Sequence, residues 1–314
     1  MHVAGTMKTL VLVLLCAAGA SGAFGQDQAG TFKGGVDLVA LNVVVVDPQQ
    51  QFVGGLTAGN FAVYEDGVQQ DVSFFAAAEL PLDLAILLDT SASMYDKIAT
   101  AQKAAVGFVS ALRPVDRLLV IDIKDSARVL SPLSHDLEAA RSAILGTSPA
   151  GSTAIYNGLY LTLKEMARQK QPGQNLRRQA LVLLSDGDDT TSLVTYDDVM
   201  ELARQAGISI YTIKLRSSQF ESDMARRNAQ ASKSEYAMKE LAQETGGRSF
   251  HALQVNDLSG VYKSIGHELA SQYAIGYMPT NQRRDGAYRR VNVRIVDRAN
   301  AQPRTRAGYL APRR

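Results

Sequence analysis

Five side chains with oxygen atoms lie in three short loops. Two of the loops directly follow predicted strands, and the third lies where the end of a strand is expected. Loops that follow parallel strands meet at one edge of a doubly wound sheet, and such sheets bind their ligands at that edge. Oxygen ligands of mixed charge suit a hard cation, so we expect a site for Mg²⁺ (or Mn²⁺) there. The predicted metal ligands are Asp89, Ser91, Ser93, Thr153 and Asp186.

The types of these ligands predict how a bound metal would behave. Three of the five are hydroxyl groups that would coordinate the metal directly, while Asp89 and Asp186 would balance its charge, directly or through water. Mostly neutral direct ligands leave a metal electrophilic. An open coordination position would then attract a carboxylate from a protein partner.

Each of these residues also has an ordinary explanation when it is taken alone. Asp89 could cap the helix that follows it, and Thr153 could cap a helix predicted at Ala154–Gln169. Asp186 and Gly187 could form a turn and nothing more. The joint occurrence of all five residues in three such loops favours the metal site.

Other functions receive little support from the composition. The formal net charge of the 314 residues is +2, so the total gives no strong signal for a nucleic-acid partner. Aromatic residues do not interleave the arginine pairs Arg283-Arg284, Arg289-Arg290 and Arg313-Arg314, and we expect no nucleic-acid partner. Asp188 and Asp189 are expected to be solvated loop carboxylates. The histidines outside the first residues lack the spacing of a zinc site; they are His135, His251 and His267.

Residues 1–25 predict a signal peptide. Lys8 supplies the positive charge, Leu10–Ala18 is an apolar segment too short to span a bilayer comfortably, and small residues before Gln26 fit a cleavage site. Cleavage would remove Cys16, the single cysteine, and leave no membrane span. We therefore expect a periplasmic or secreted protein, with a retained anchor as the alternative.

The middle of the chain alternates strands with helices, which requires a parallel, doubly wound sheet of the α/β class. The apolar runs Leu82–Leu88 and Gln179–Leu184 are bounded by polar loops, as expected of strands buried on both faces. Apolar residues at helical spacing follow in Asp96–Leu112. Arg216–Lys233 is polar and charged, and we expect an exposed excursion there before a helix at Tyr236–Glu244.

The segments on both sides of this core are predicted to be all-β. Val68–Ala76 and Arg304–Leu310 each predict one strand, and Asp285-Gly286 predicts a hairpin turn between two strands of the C-terminal segment. We expect the strands of residues 26–80 and 272–314 to pair into a small β-sandwich, with an α/β domain of residues 81–271 inserted. Two separate β modules would give the same pattern.

The motif residues resemble a known site. Asp89-x-Ser91-x-Ser93, Thr153 and Ser185-Asp186-Gly187 resemble, in order, the metal-ion-dependent adhesion site (MIDAS) of von Willebrand factor type A (VWA) domains. The resemblance covers roughly Leu82–Ser271. It implies a Rossmann-like fold and a metal-dependent protein-binding module that is usually not an enzyme, with the metal on the five residues already named.

The flanking segments also resemble those of a bacterial group of exported proteins that carry such a domain. The matching segments are LTAGNFAVYEDG at Leu56–Gly67 and YAIGYMP at Tyr273–Pro279. The charged stretch Phe220–Glu235 departs from the family's pattern and puts the shape of that surface in doubt, but it leaves the metal site unaffected.

Three functions are compatible with these observations. The favoured one is capture of a protein partner through the metal. The alternative is a Mg²⁺-dependent phosphohydrolase on a Rossmann-like sheet, which commonly needs a second acid two positions after the first, where this chain has Ser91, and a lysine that grips phosphate. The third is a metal-independent scaffold in which the β module binds the partner.

Overall fold

The computed structural model describes residues 38–77, 80–169, 176–216, 224–298 and 300–313, without the side chains of residues 224–232. The predicted signal peptide, with Cys16, lies outside the described residues. Numbered along the chain, the strands are β1 (Val39–Val46), β2 (Phe61–Glu65), β3 (Val68–Gln70), β4 (Val72–Ala77), β5 (Leu82–Asp89), β6 (Arg117–Ile123), β7 (Ala127–Ser134), β8 (Arg178–Ser185), β9 (Ser209–Leu215), β10 (Ser249–Ala252), β11 (Tyr273–Tyr277), β12 (Tyr288–Ile295), β13 (Gln302–Arg304) and β14 (Gly308–Leu310). The helices are α1 (Ile98–Val109), α2 (Leu137–Leu145), α3 (Ile155–Arg168), α4 (Tyr196–Ala206), α5 (Met224–Glu244) and α6 (Leu258–Ala270).

A six-stranded sheet in the order β10-β9-β8-β5-β6-β7 forms the middle of the molecule. Its strands are parallel except β7, which pairs antiparallel with β6 at one edge. The order runs outward from β5 in both directions, so the sheet is doubly wound. The loops after β5 and β8 therefore leave the same edge of the sheet side by side.

The central strand β5 is buried on both faces because its residues alternate between two hydrophobic cores. Leu84 and Ile86 pack with residues of α1 and α6, while Ala85 and Leu87 pack with residues of α3 and α4. This alternation explains why the strand has a continuous apolar sequence rather than a polar–apolar one. Each fully buried large side chain stabilises the sheet by about 1.5–3 kcal/mol.

Two four-stranded antiparallel sheets accompany the central one, in the orders β13-β1-β11-β4 and β14-β12-β2-β3. Each sheet combines strands from before and after the α/β core, since β1 pairs with β11 in the first and β2 pairs with β12 in the second. Apolar residues of both sheets share one hydrophobic core. The predicted fold class, a doubly wound α/β core with a small β-sandwich-like module, is confirmed. The residue limits assigned to the three domains stay a prediction.

Two predicted strands of the sandwich are wrong in the same way. Val68–Ala76 and Arg304–Leu310 were each expected to form one strand, but each forms two strands that belong to different sheets. The chain bends at Asp71 and again after β13, and so crosses from one sheet to the other. Such corners occur where strands switch sheets, and the apolar pattern of a single segment does not reveal them.

The predicted hairpin at Asp285-Gly286 is also wrong. Gly286 has a φ of 69°, as a turn requires, but the strands on either side, β11 and β12, lie in different sheets. The predicted start of the helix at Tyr236 is wrong, because α5 already begins at Met224, within the expected excursion at Arg216–Lys233. Residues 217–223 of that excursion lie outside the described residues. Residues 224–235 contain neither Gly nor Pro and include several strong helix formers. Within the described ranges, no helix is both long and apolar enough to cross a membrane.

Candidate functional site

A buried methionine anchors the loop after β5 to the hydrophobic core. Asp89 is the last residue of the strand, and its Oδ1 accepts a hydrogen bond of 2.9 Å from the backbone N–H of Ser91. A single 3₁₀ turn then places Met94 in the core, with no exposed surface, and Tyr95 outside with 81% of its surface exposed. From their place in the sequence, Ala92, Met94, Tyr95 and the loop at Asp188–Thr191 are predicted to form the rim of the site. For Met94 this prediction is wrong, because the turn needs an apolar anchor.

The first and third loops are joined by hydroxyl-to-carboxylate hydrogen bonds. Ser93 Oγ donates to Asp186 Oδ1 over 2.6 Å and lies 3.0 Å from Ser91 Oγ. In the opposite direction, Ser185 Oγ donates to Asp89 Oδ2 over 2.5 Å. Each loop therefore supplies a hydroxyl to the carboxylate of the other, and four of the five predicted ligands lie in one cluster.

Thr153 reaches the same cluster from the second loop. Its backbone is held by Thr190, whose N–H donates to Thr153 O over 2.8 Å and whose Oγ1 accepts from Thr153 N over 3.1 Å. A methyl group placed on Gly187 would lie 3.6 Å from Thr153 Oγ1 and 4.0 Å from both Asp89 Oδ2 and Ser93 Oγ. The side chains of the first and second loops thus lie close to Gly187, which belongs to the third loop. Thr153 does not cap α3, because the N-cap residue of that helix is Ala154.

The spacing of the oxygens fits a small octahedral cation. Two neighbouring ligands of Mg²⁺, each at 2.0–2.1 Å from the ion, are about 2.9 Å apart. The hydroxyls of Ser91 and Ser93 are separated by 3.0 Å and Ser93 Oγ lies 2.6 Å from Asp186 Oδ1, which is close to that separation. Among the described residues no group of three or more His, Cys, Asp or Glu side chains could hold a metal, and a metal at this cluster would need hydroxyl ligands beside its two carboxylates.

A buried lysine completes the cluster, and the sequence did not predict it. Lys97 Nζ donates to Asp186 Oδ2 over 2.7 Å and to the carbonyl oxygen of Ser93 over 2.8 Å, and only 7% of the residue is exposed. Burial opposes its charge, but the hydrogen bond from Lys97 to Asp186 and the charge of Asp186 outweigh that effect and raise the pKa of Lys97. A lysine just before an amphipathic helix is ordinarily exposed, so only its closeness in sequence to the motif could have drawn attention to it.

The two carboxylates of the cluster are both almost completely buried. Burial raises the pKa of Asp89 above its usual range, hydrogen bonds from Ser185 and Ser91 partly oppose this, and the nearby charge of Asp186 adds to it. A cation placed among these oxygens would oppose this rise in the pKa of Asp89, because it favours the charged form.

The neighbouring acids, Asp188 and Asp189, stabilise the third loop. Asp188 Oδ1 accepts from Lys214 Nζ over 3.0 Å, while Asp189 Oδ1 accepts from Ser192 Oγ over 2.5 Å and from Tyr156 N over 3.2 Å. Both residues were predicted to be solvated, but they are partly buried and their carboxylates accept hydrogen bonds. Their carboxylates hold the loop in place and lie outside the set of predicted ligands.

Fold and site together define a class of protein: a doubly wound α/β domain with hydroxyls and carboxylates gathered at the carboxyl edge of its sheet. The family model for the von Willebrand factor type A domain matches residues 83–264. This chain belongs to the VWA domain family. VWA domains generally mediate protein–protein interaction and are typically non-catalytic.

Curated relatives are similar to part of this chain. A UPF0353 protein of Mycolicibacterium paratuberculosis is 24% identical over 215 residues, which cover 63% of this chain and 62% of the relative. An uncharacterised protein of Synechocystis sp. is 34% identical over 113 residues, or 35% of this chain and 26% of that one. The matched region thus spans less than two thirds of these curated relatives.

A solved structure has the same fold. The von Willebrand factor type A protein from Catenulispora acidiphila superposes with a TM-score of 0.50 at 13% identity, covering 89% of this chain and 75% of that chain. At this identity the likeness concerns the fold alone. The site must be argued from the residues of this chain.

Proposed function

We propose that this chain is an exported protein-binding module that captures an acidic side chain of a partner through Mg²⁺ (or Mn²⁺). The observation that carries the proposal is the convergence of hydroxyls and carboxylates from three loops at one edge of the sheet. The metal would be held by Asp89, Ser91, Ser93, Thr153 and Asp186.

The charges around the cluster support binding of an anion from outside. Two carboxylates are partly offset by the ammonium of Lys97, which lies 2.7 Å from Asp186. A divalent cation added to this set would leave the site with a net positive charge. Attraction of a partner's carboxylate is then favourable, and its oxygen would fill a coordination position that the protein does not supply.

The surface beside the cluster offers apolar contacts. Tyr95 follows the first loop with 81% of its surface exposed, and Leu193 follows the third loop with 93% exposed. The backbone N–H of Leu193 is held by Asn157 Oδ1 over 3.1 Å, so this apolar side chain is presented from an ordered loop. With Ala92 and the loop at Asp188–Thr191, these residues form the proposed rim for the partner.

Titration with Mg²⁺ followed by calorimetry tests the proposal. The wild-type protein is expected to bind one ion, and Asp89→Ala is expected to abolish binding. Asp188→Ala is the matched control, because it removes a neighbouring carboxylate that pairs with Lys214. Mg²⁺ binding by Asp89→Ala with wild-type affinity would refute the metal site.

Partner capture tests the second half of the proposal. The wild-type protein is incubated with the cell envelope of its source with Mg²⁺, and again with a chelator. A partner retained only with Mg²⁺, and lost with Asp89→Ala, is expected. A partner retained equally in chelator would favour the metal-independent scaffold, in which the β module binds.

The phosphohydrolase remains the alternative, and one observation bears on it. The lysine that such an enzyme needs is present as Lys97, but its ammonium already donates to Asp186 and to Ser93 and is almost completely buried. The second acid is replaced by Ser91. A screen against generic phosphate esters separates the two functions: turnover that disappears in Asp89→Asn would favour the enzyme.

Export is part of the proposal and has its own test. Residues 1–25 would be removed before Gln26, which sets the mature N-terminus. N-terminal sequencing of the protein recovered from periplasm and medium is expected to start at Gln26. An intact Met1 in a membrane fraction would favour the retained anchor.

A further inference from the structure

Lys97 lies beside the candidate site and contacts a predicted metal ligand, Asp186. Its ammonium joins Asp186 Oδ2, in the third loop, to the carbonyl oxygen of Ser93, in the first. Its ammonium also lies 3.3 Å from a carboxylate oxygen of Asp96, whose side chain is 60% exposed. The side chain of Lys97 itself is 9% exposed, and that of Asp186 is fully buried.

We propose that Lys97 is a positioning residue that sets how tightly the site holds its metal and keeps the site attractive to anions. The inference rests on the proposed metal site and concerns its regulation by charge. Asp186 has two carboxylate oxygens: Oδ2 is held by Lys97, and only Oδ1 faces the hydroxyl of Ser93. Asp186 therefore approaches the metal through one oxygen and cannot chelate it with both.

The charge of Lys97 lowers the affinity for a divalent cation. At the short distances within this cluster, an ammonium and a divalent ion repel one another, and burial strengthens the repulsion. The same charge strengthens the attraction for an anion, because the cluster with its metal stays net positive only while Lys97 is present. Lys97 thus trades metal affinity for affinity toward the partner's carboxylate.

The same contacts keep the site assembled before the metal arrives. Without a cation, Asp89 and Asp186 are two buried carboxylates in one cluster, and like charges so placed repel one another. Lys97 supplies the charge that offsets Asp186 and connects two of the three loops. Removing it makes the metal-free protein less stable, and the metal then restores more stability than it does in the wild type.

Lys97→Met tests the proposal, because methionine keeps the apolar stem and removes the charge. Lys214→Met is the matched control, since Lys214 contacts the same loop but pairs with Asp188, which is no predicted ligand. Calorimetry is expected to show Mg²⁺ bound about tenfold more tightly by Lys97→Met than by the wild type. The melting temperature of Lys97→Met is expected to be lower in chelator and to rise more on addition of Mg²⁺ than that of the wild type.

Lys97→Gln provides a second variant that keeps a hydrogen-bond donor, and it is expected to shift the Mg²⁺ affinity in the same direction. Unchanged or weaker Mg²⁺ binding by both variants overturns the role of Lys97 while leaving the metal site intact. Equal tightening in Lys214→Met overturns it too, because the effect would then be one of bulk charge. If neither Lys97 variant folds in Mg²⁺, the inference is refuted, since the metal must be able to replace the ammonium. Absence of Mg²⁺ binding by the wild type refutes the proposed function itself.

Discussion

The two ends of β5 carry two buried aspartates whose surroundings are opposite. Asp83, at the amino end, accepts from Arg117 Nε over 2.9 Å and from Arg177 Nε over 2.6 Å, and its second oxygen accepts from Arg117 over 2.7 Å. Asp89, at the carboxyl end, accepts from the hydroxyl of Ser185 and the backbone N–H of Ser91. One carboxylate is neutralised by guanidinium groups, and the other is not.

This difference separates a structural carboxylate from a binding one. Guanidinium N–H groups can only donate, so they close the oxygens of Asp83 to any cation. Hydroxyl groups donate to a carboxylate in one state and offer their own oxygen to a metal in another. The cluster at the carboxyl end can therefore exchange its internal hydrogen bonds for metal ligation, whereas the amino end cannot.

The pKa shifts at the two ends run in opposite directions. Asp116 lies at the amino end, because its Oδ1 accepts from the backbone N–H of Leu82, the first residue of β5, over 2.8 Å. Burial alone would raise the pKa of Asp116, but hydrogen bonds from Arg113 and from the backbone of Leu82 outweigh it and lower that pKa. At the carboxyl end, burial dominates and raises the pKa of Asp89. The charges at the amino end therefore stabilise the folded chain. At the carboxyl end the buried charge of Asp89 is unfavourable, and a bound cation would offset that unfavourable free energy.

The largest effect is expected from Asp83→Asn, which removes the charge of the carboxylate at the amino end of β5. It leaves Arg117 and Arg177 without their carboxylate, and the unfolding free energy should fall by about 3 kcal/mol. This is the lower end of the usual range, because the two arginine side chains are 19% and 20% exposed. Urea denaturation measures the loss.

Mg²⁺ affinity is the control for that variant. Calorimetry on folded Asp83→Asn should give the wild-type value, since the amino end takes no part in binding. A variant as stable as the wild type, or one that loses Mg²⁺ binding while folded, would contradict the division of roles between the two ends.

A smaller effect, dependent on pH, is expected from Asp116→Asn. The folded pKa of Asp116 lies below its ordinary value of 3.8, so its charge contributes stability that is fully present above that pH and is lost as the pH falls through the folded pKa. The variant should cost about 2 kcal/mol at neutral pH, as for hydrogen bonds to a charged group. Urea denaturation of variant and wild type should show their difference shrinking in acid; a difference constant with pH would contradict the assignment.

Much of the central fold was accessible from the sequence because burial dictates residue type there. The strands predicted at Leu82–Leu88 and Gln179–Leu184 agree to within one residue at each end with Leu82–Asp89 and Arg178–Ser185. The sheet-switching corners at Asp71 and after β13 were not, since the choice of partner strand is made by distant segments. The start of α5 was missed because its first residues have helical propensity without an apolar period.

The candidate site was predictable in its ligand types but not in its charge balance. The motif Asp89-x-Ser91-x-Ser93 distinguishes Asp89 from Asp83 in the sequence, but nothing near Asp83 shows that its charge is neutralised. That depends on Arg117 and Arg177, which are 34 and 94 residues away from Asp83. The local pattern likewise does not show that Lys97 turns inward, because that depends on Asp186 in another loop.

Thr153→Val tests whether the hydroxyl of Thr153, at the carboxyl end, is a ligand of the metal. The change keeps the shape of the side chain and both backbone hydrogen bonds to Thr190, and removes only the hydroxyl. Mg²⁺ affinity should fall about tenfold, which corresponds to about 1.4 kcal/mol.

Thr162→Val is the matched control, because Thr162 is also buried and donates its hydroxyl within α3, to Gly158 O over 2.7 Å. It should leave calorimetric Mg²⁺ binding unchanged. Equal affinities for Thr153→Val and the wild type would exclude Thr153 from the metal's ligands.

The smallest effect is expected from Gly187→Ala, which tests whether the space between the three loops is used. A methyl group there would make ordinary contacts, at 3.6 Å from Thr153 Oγ1 and 4.0 Å from Asp89 Oδ2, and the backbone of Gly187 needs no positive φ. The fold should therefore be preserved. The methyl group would still occupy space beside the metal that an ordered water needs, and Mg²⁺ affinity should fall about threefold.

Gly107→Ala is the control for Gly187→Ala, because a methyl group at Gly107, within α1, would meet no atom within 4 Å. Thermal melts in chelator should show both variants folded, with Gly107→Ala slightly more stable owing to its higher helix propensity. Calorimetry should then separate them, since only Gly187→Ala alters Mg²⁺ binding. An unchanged affinity would mean that the ion does not lie among the three loops, and the carboxyl end would then be a hydrogen-bonded cluster as closed as the amino end.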